Sequence, residues 1–165
     1  METPLDACCT RVVSADETGA LHDKLAQLLK TALAESASAA RWPLDHEIAD
    51  TLGFASSQPT SVTVIANRSD RLVGALFAER RHLRNAVFVR WIVVHPDDRH
   101  AGVGGMLVKH VERATSANEI YGMVDLDDPV AAGFWNGRGW QPMHPRGQRV
   151  RMGRSLAGAK PSHRR

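Results

Sequence analysis

One stretch narrows the choice of folds more than any other: Val87 to Ala117, VFVRWIVVHPDDRHAGVGGMLVKHVERATSA. From Val87 to Val94 it is apolar except for Arg90, rich in β-branched and aromatic side chains, and it stops at Pro96. That length and composition predict a largely buried strand. Arg99-His100-Ala101-Gly102-Val103-Gly104-Gly105 follows, and Val103, Leu107, Val111 and Ala114 then recur at helical spacing. The predicted unit is strand, glycine-rich turn, helix. The first N–H groups of a helix have no partner within it, and the aligned peptide dipoles place partial positive charge there. Glycines let a ligand approach that backbone, so the turn is a candidate phosphate cradle.

Spacing decides which phosphate ligand suits it. A dinucleotide fingerprint beginning at Gly102 needs a glycine where this chain has Leu107, and a P-loop needs Gly-Lys-Ser or Gly-Lys-Thr, which does not follow. Arg99-x-x-Gly102-x-Gly104 does match the Arg/Gln-x-x-Gly-x-Gly/Ala signature of the GNAT acetyltransferase superfamily, in that family's strand, turn and helix context, so the chain resembles a GNAT acyltransferase. A second anchor lies downstream. The family often shows Asn-x-x-Ala, three residues, Tyr, three residues, Gly-Phe; here Asp128, Ala131, Trp135 and Gly139-Trp140 fall at that spacing, with several identities changed.

The remaining elements fit the same frame. Arg11 to Ser14 is a first short strand, and Leu21, Leu25, Leu28, Leu29, Ala32 and Leu33 mark one face of a helix. Trp42-Pro43 opens a second helix through about Leu52, and Gly53 to Ser61, with Pro59, reads as a loop. Ser61 to Ala66 and Arg71 to Glu79 form a hairpin about the polar turn 67–70. After the motif helix come a strand at Tyr121 to Leu126, a short helix at Val130 to Arg138 ended by Gly139, and a strand at Gln148 to Leu156. The order β-α-α-β-β-β-α-β-α-β is that of the GNAT fold, an α/β arrangement with a mixed central sheet flanked by helices.

At 165 residues the chain has room for one core, so residues 1–156 are read as a single domain and 157–165 as a disordered basic tail. A hydrophobic content of 43% with 24% charged residues is ordinary globular composition. No apolar run reaches the roughly 20 residues a bilayer span requires, and no signal peptide is visible, so a cytoplasmic, membrane-free protein is expected. All 18 acidic residues lie at or before Asp128, whereas the last 37 residues carry eight basic residues and no acid. That basic segment is interleaved with Gly, Pro and Ser and holds no nucleic-acid motif, so no nucleic-acid partner is expected. Cys8 and Cys9 are adjacent, which is poor geometry for a disulfide, and no metal-ligand spacing surrounds them.

The resemblance implies acetyl-CoA as acyl donor, no metal, a small amine acceptor and an open option of a homodimer. It implies that backbone groups at Ile92, Val93 and Val94 bind the pantetheine arm where the central strand splays from its neighbour. The N–H of Val94 or Val93 then polarises the thioester carbonyl. Arg99, His100, Ala101, Gly102, Val103, Gly104 and Gly105 would hold the pyrophosphate, with Trp135 and Arg138 as further cofactor contacts.

Proton handling departs from the family. The usual glutamate base position is occupied by Trp91 and the usual tyrosine acid position by Trp135, and indole has no proton to exchange near neutral pH. Asp125, Asp127 and Asp128, where the fifth strand ends, and Glu79 on the neighbouring strand are the candidate acceptors, each also explained as a solvated strand end. His95 has a suitable unperturbed pKa but precedes Pro96 beyond the pantetheine region. For the acceptor, Trp42, Arg90 and Trp91 are candidate pocket residues; Trp42, Trp91 and Trp135 together suit a flat or hydrophobic amine, such as a natural product or antibiotic. Arg80, Arg81 and Arg84 beside Arg90 offer a grip for a carboxylate or phosphate, or form an exposed loop. The alternative to an enzyme is a catalytically degenerate CoA-binding sensor or partner module on the same fold.

Overall fold

The computed structural model describes residues 7–35, 43–125, 127–146 and 149–156. The tail expected at 157–165 lies outside the described residues. In chain order the elements are β1 (Cys8–Val13), α1 (Ala15–Ala20), α2 (His22–Leu33), α3 (Leu44–Ser57), β2 (Ser61–Arg68), β3 (Arg71–Arg81), β4 (Ala86–Val94), α4 (Val103–Thr115), β5 (Glu119–Asp125), α5 (Pro129–Asn136), β6 (Gln141–Arg146) and β7 (Arg149–Ser155). The strands form one mixed sheet in the order β1-β2-β3-β4-β5-β7-β6, in which β4 and β5 are parallel and the other neighbours antiparallel.

The predicted frame stands, with one helix and one strand added. The extra helix, α1, starts at Ser14, whose side chain accepts from the Glu17 N–H while the Glu17 carboxylate accepts from the Ser14 N–H. That reciprocal capping box satisfies donors a helix start leaves open. It also ends β1 at Val13, so Ser14 is a cap and not a strand residue. The extra strand, β6, contains Pro142 and Pro145 and sits at the sheet edge, where a missing N–H costs no ladder bond.

The segment read as a loop from Gly53 is helical to Ser57. Ile48, Thr51, Leu52 and Ala55 continue one buried stripe through Gly53, and the Ser56 and Ser57 hydroxyls donate back to the carbonyls of Leu52 and Gly53. The hairpin turn is also tighter than predicted: β2 runs on to Arg68 and only Ser69 and Asp70 remain outside the strands.

Each face of the sheet buries its own core. On one side α4 lays Val103, Leu107, Val108 and Val111 over Val62, Val64, Leu76 and Val87, with Trp135 and Trp140 in the same cluster. On the other, α2 and α3 bring Leu25, Leu29, Ile48 and Leu52 against Ile65, Ala75, Phe77 and Val93. Leu107 and Leu25 are both fully buried, and truncating a leucine of this kind to alanine costs about 2–5 kcal/mol.

Two irregularities in β4 position the site. Val89 pairs with Ala78 and Trp91 with Phe77, so Arg90 is an extra residue without a partner on β3. A bulge of this kind reverses side-chain parity. Before it, Val87 and Val89 face α4; after it, Ile92 and Val94 do, while Trp91 and Val93 turn toward α2 and α3. On the opposite edge, β4 pairs with β5 only from Ala86 to Val89. Beyond Val89 the two parallel strands part.

Candidate functional site

The parting of β4 and β5 opens a cleft of about 530 Å³, within the range of small-molecule and cofactor sites. Its back wall is the run Val89 to Val94. β5 supplies Gly122 to Asp125, α5 and the turn before it supply Asp127, Asp128, Val130, Phe134 and Trp135, α2 supplies Ala32 and Leu33, and Arg99 and Gly104 close the end toward α4.

Strand pairing settles which backbone groups face this space. The His95 N–H donates to the Val73 carbonyl on β3 at 2.8 Å. Backbone groups of a strand alternate in direction residue by residue, so the N–H and C=O of Val93 and Trp91 also face β3. Those of Ile92 and Val94 face the opposite edge, where β5 has departed. Of the two residues considered as thioester donors, Val94 has the N–H directed at the cleft.

The turn after β4 is built to expose backbone. Pro96 to Asp98 make a single 3-10 turn, His100 is left-handed at φ 63° and Gly102 at φ 80°, and Gly102 is the N-cap of α4. Gly102 has no side chain with which to cap α4, and no side-chain cap is found among the described residues, so the helix's first N–H groups are left to other partners. Gly104 lets α5 approach: a Cβ there would lie 2.7 Å from Phe134 Cε2. Arg99 lines the cleft while donating to the Ala32 carbonyl at 2.9 Å and to Glu35 at 3.3 Å, which ties the turn to the end of α2.

Among the other predicted cofactor residues, His100, Ala101, Gly102, Val103 and Gly105 do not line the cleft. Val103 turns into the core and is 1% exposed. Arg138 stacks on the Phe134 ring at 3.6 Å and donates to the Phe134 carbonyl, with burial pushing its pKa down. A Cβ on Gly105 would meet the Arg138 guanidinium at 2.9 Å, so this cation lies beside the start of α4.

Trp135 is buried, stacked on Trp140 with ring centroids 3.9 Å apart and edge-on to Phe134, and it still lines the cleft. Trp91, in the back wall formed by β4, lines it too. Both indoles thus line one cleft, Trp135 packed with the core under α4 and Trp91 with the core under α2 and α3. Asp128 caps α5, its Oδ1 accepting from the N–H groups of Val130 and Ala131. Asp125 and Asp127 line the cleft beside it, and the Asp127 N–H donates to the Asp125 carboxylate.

The acceptor-side residues are less open than the sequence implies. Arg90 is bound to Asp50 at 2.8 Å, lies near Glu79 at 4.0 Å and covers the Phe54 ring at 4.4 Å, so its charge is already met by α3 and β3. Glu79 also pairs with Arg81 at 2.9 Å. Glu79, Arg80, Arg81 and Arg84 do not line the cleft. His95 caps the 3-10 turn by accepting from the Asp97 N–H. Trp42 lies outside the described residues. Cys8 and Cys9 are free thiols on β1, and burial raises the Cys8 pKa, away from thiolate chemistry.

No helix among the described residues is long and apolar enough to cross a membrane. A comparison with curated proteins finds no match. Solved structures do match. The PaiA N-acetyltransferase of Thermoplasma acidophilum, determined in complex with coenzyme A, superposes with a TM-score of 0.70 at 15% identity, over 91% of this chain and 99% of that one. An aminoglycoside 6'-acetyltransferase type Ii gives 0.70 at 18% identity, over 92% and 99%. The ribosomal-protein-S18-alanine N-acetyltransferase of Escherichia coli gives 0.68 at 13% identity, over 96% and 99%. The sequence itself matches the acetyltransferase (GNAT) family over residues 23–140, a span from α2 through Trp140 that contains the open edge of β4, the left-handed turn and α4. The chain belongs to the GNAT acetyltransferase family.

Proposed function

We propose that this protein transfers an acetyl group from acetyl-CoA to a primary amine of a small molecule or an amino terminus, by direct attack of the amine in a ternary complex. The observation that carries the reading is the unpaired edge of β4, where Ile92 and Val94 present backbone groups to a cleft that ends at the uncapped start of α4. Ile92 and Val94 pair with the pantetheine arm as a missing strand would. The Val94 N–H donates to the thioester oxygen and stabilises the negative charge that develops there on attack. Arg99, His100 and the backbone from Ala101 to Gly105 hold the pyrophosphate, and Trp135 packs along the arm.

Proton transfer needs no side chain from the usual positions. An amine that approaches as an ammonium first loses one proton to solvent water; its neutral nitrogen then bonds to the carbonyl carbon, the carbon–sulfur bond breaks, and a second proton released from nitrogen goes to the thiolate sulfur directly or through water. Asp125, Asp127 and Asp128 at the cleft mouth favour the approach of a cationic amine. Trp91 and Trp135 favour an acceptor with a flat or apolar face. The reading requires one domain, residues 1–156, and neither metal nor nucleic acid.

The same two tryptophans support a second reading, a GNAT-fold protein that binds CoA as a sensor or partner subunit without catalysis. Two experiments separate the cases. Acetyl-CoA at a hundred times its Kd stabilises the folded state by about 2.7 kcal/mol, a Tm rise of roughly 5–11 °C for a chain of this size. Absence of any shift refutes both readings. Release of free CoA with an amine panel supports the enzyme, and a thermal shift without release across the panel supports the sensor.

A further inference from the structure

The cleft and its neighbours leave one buried charge cluster unused. Asp98 has a side chain with 0% exposure, and each of its oxygens meets a different guanidinium: Arg68 at 2.5 Å and Arg71 at 2.7 Å. Arg68 ends β2, Arg71 begins β3, and the two stand directly opposite each other in the ladder. Like charges facing across a hairpin destabilise it. A carboxylate inserted between them removes that penalty, and its own burial is tolerated because both oxygens are paired. Neither arginine nor Asp98 lines the cleft.

What the cluster holds is the turn before α4. Asp98 closes the 3-10 turn, its N–H donating to the His95 carbonyl at 2.9 Å, and Arg99 is the next residue. Arg99 is fixed from the other side by the end of α2. Just after these anchors comes His100 at φ 63°, a left-handed conformation that a residue with a Cβ adopts at a cost. Such strain persists only where flanking contacts over-determine the backbone. The two anchors supply that constraint, Asp98 through the β2–β3 hairpin and Arg99 through the end of α2.

We propose that Asp98 is a positioning residue for the cofactor cradle: clamped by Arg68 and Arg71, it holds the backbone of residues 99–105 with its N–H groups directed at the phosphates of CoA. This rests on the reading of residues 99–105 as that cradle, and CoA binding by the wild-type protein tests that reading separately. The clamp makes no contact with ligand. Its effect passes through the backbone, so it shows in CoA affinity and in the local order of the turn.

The test is Asp98→Asn, which keeps the shape and removes the charge, with Arg71→Gln as the milder second variant and Arg71→Lys as the charge-retaining control. For each folded variant, calorimetry gives the Kd for CoA and amide hydrogen exchange gives the protection of residues 99–105 without ligand. Asp98→Asn is expected to raise Kd about tenfold, the worth of one hydrogen bond to a charged group, and to speed exchange of 99–105. Arg71→Gln gives a smaller rise in Kd with the same faster exchange, and Arg71→Lys stays near the wild type. If Asp98→Asn does not fold, Arg71→Gln carries the test alone. An unchanged Kd in a folded variant overturns the proposal, as does a weakened Kd with unchanged exchange of 99–105. Wild-type protein that binds no CoA overturns the reading of the cradle itself.

Discussion

Adding one methyl group at Gly104 tests how closely α4 and α5 are fitted around the cleft. The new Cβ would stand 2.7 Å from Phe134 Cε2 and 3.1 Å from Cζ. The ring cannot swing away freely, because the Arg138 guanidinium covers it at 3.6 Å and Trp135 meets it edge-on at 4.7 Å. Overpacking of this kind costs about 1–3 kcal/mol, while replacing a helical glycine by alanine gains about 1 kcal/mol. Gly133, on α5, has nothing within 4 Å of the position a Cβ would take, and so isolates that gain. Gly133→Ala is therefore stabilising and Gly104→Ala is not, the two differing by about 1–3 kcal/mol, or roughly 2–12 °C in Tm. Thermal denaturation of both variants measures the gap, and CoA titration of Gly104→Ala shows weaker binding as Phe134 shifts into the cleft. Equal melting temperatures for the two, or a Gly104→Ala protein as stable as Gly133→Ala with unaltered CoA affinity, refute the packing described for this corner.

Three further outcomes rest on named contacts. Gly104→Glu places a carboxylate at the proposed phosphate site and abolishes the thermal shift with acetyl-CoA; binding that survives the change removes the cradle from residues 99–105. Gly153→Ala is more damaging than Gly104→Ala, because its Cβ would meet the Ile120 carbonyl oxygen at 2.6 Å and Tyr121 Cβ at 2.7 Å, backbone and near-backbone atoms of the paired strand β5 that cannot move independently; denaturant melts rank the two. Glu17 has its pKa lowered from 4.5, first by the Ser14 N–H and then by Arg11, so it stabilises the fold above its unfolded pKa and this contribution is lost as pH falls through the lowered folded value. Glu17→Gln is consequently less stable than wild type at pH 7, and the two converge below the folded pKa; a gap in Tm that stays constant through that acid range contradicts the capping role.

How far these features can be read from the sequence depends on how local their causes are. The strand, turn and helix from Ala86 to Thr115 are legible because apolar periodicity and the spacing of Arg99, Gly102 and Gly104 lie within one short stretch. The Ser14 to Glu17 capping box is equally local but escapes the sequence reading, since no strong apolar stripe follows it to mark a six-residue helix. Pro142 and Pro145 argue against a strand, and only the position of β6 at the sheet edge makes them acceptable. Gly53 and two serines read as loop and end α3 too early, although the serine hydroxyls bond within the helix.

The site divides in the same way. Spacing within one stretch can be read from the sequence, whereas the contacts that residues of that stretch make with distant partners cannot. Asp98 meets arginines 27 and 30 positions away, so its burial has no local signature. Arg90 reads as available for an anionic acceptor and is held by Asp50 and Phe54 of α3. The bulge at Arg90 exists only in the pairing of β4 with β3, and that pairing also distinguishes Val94 from Val93. Asp128 has a place in the family spacing, and the structure shows its carboxylate capping α5.

A structure of the protein with acetyl-CoA bound tests the central claim most directly. The account predicts the pantetheine arm along the unpaired edge of β4, the thioester oxygen accepting from the Val94 N–H, and the pyrophosphate against the backbone at the start of α4. A thioester oxygen placed away from Val94, or a pyrophosphate bound anywhere other than the turn from Arg99 to Gly105, would contradict it.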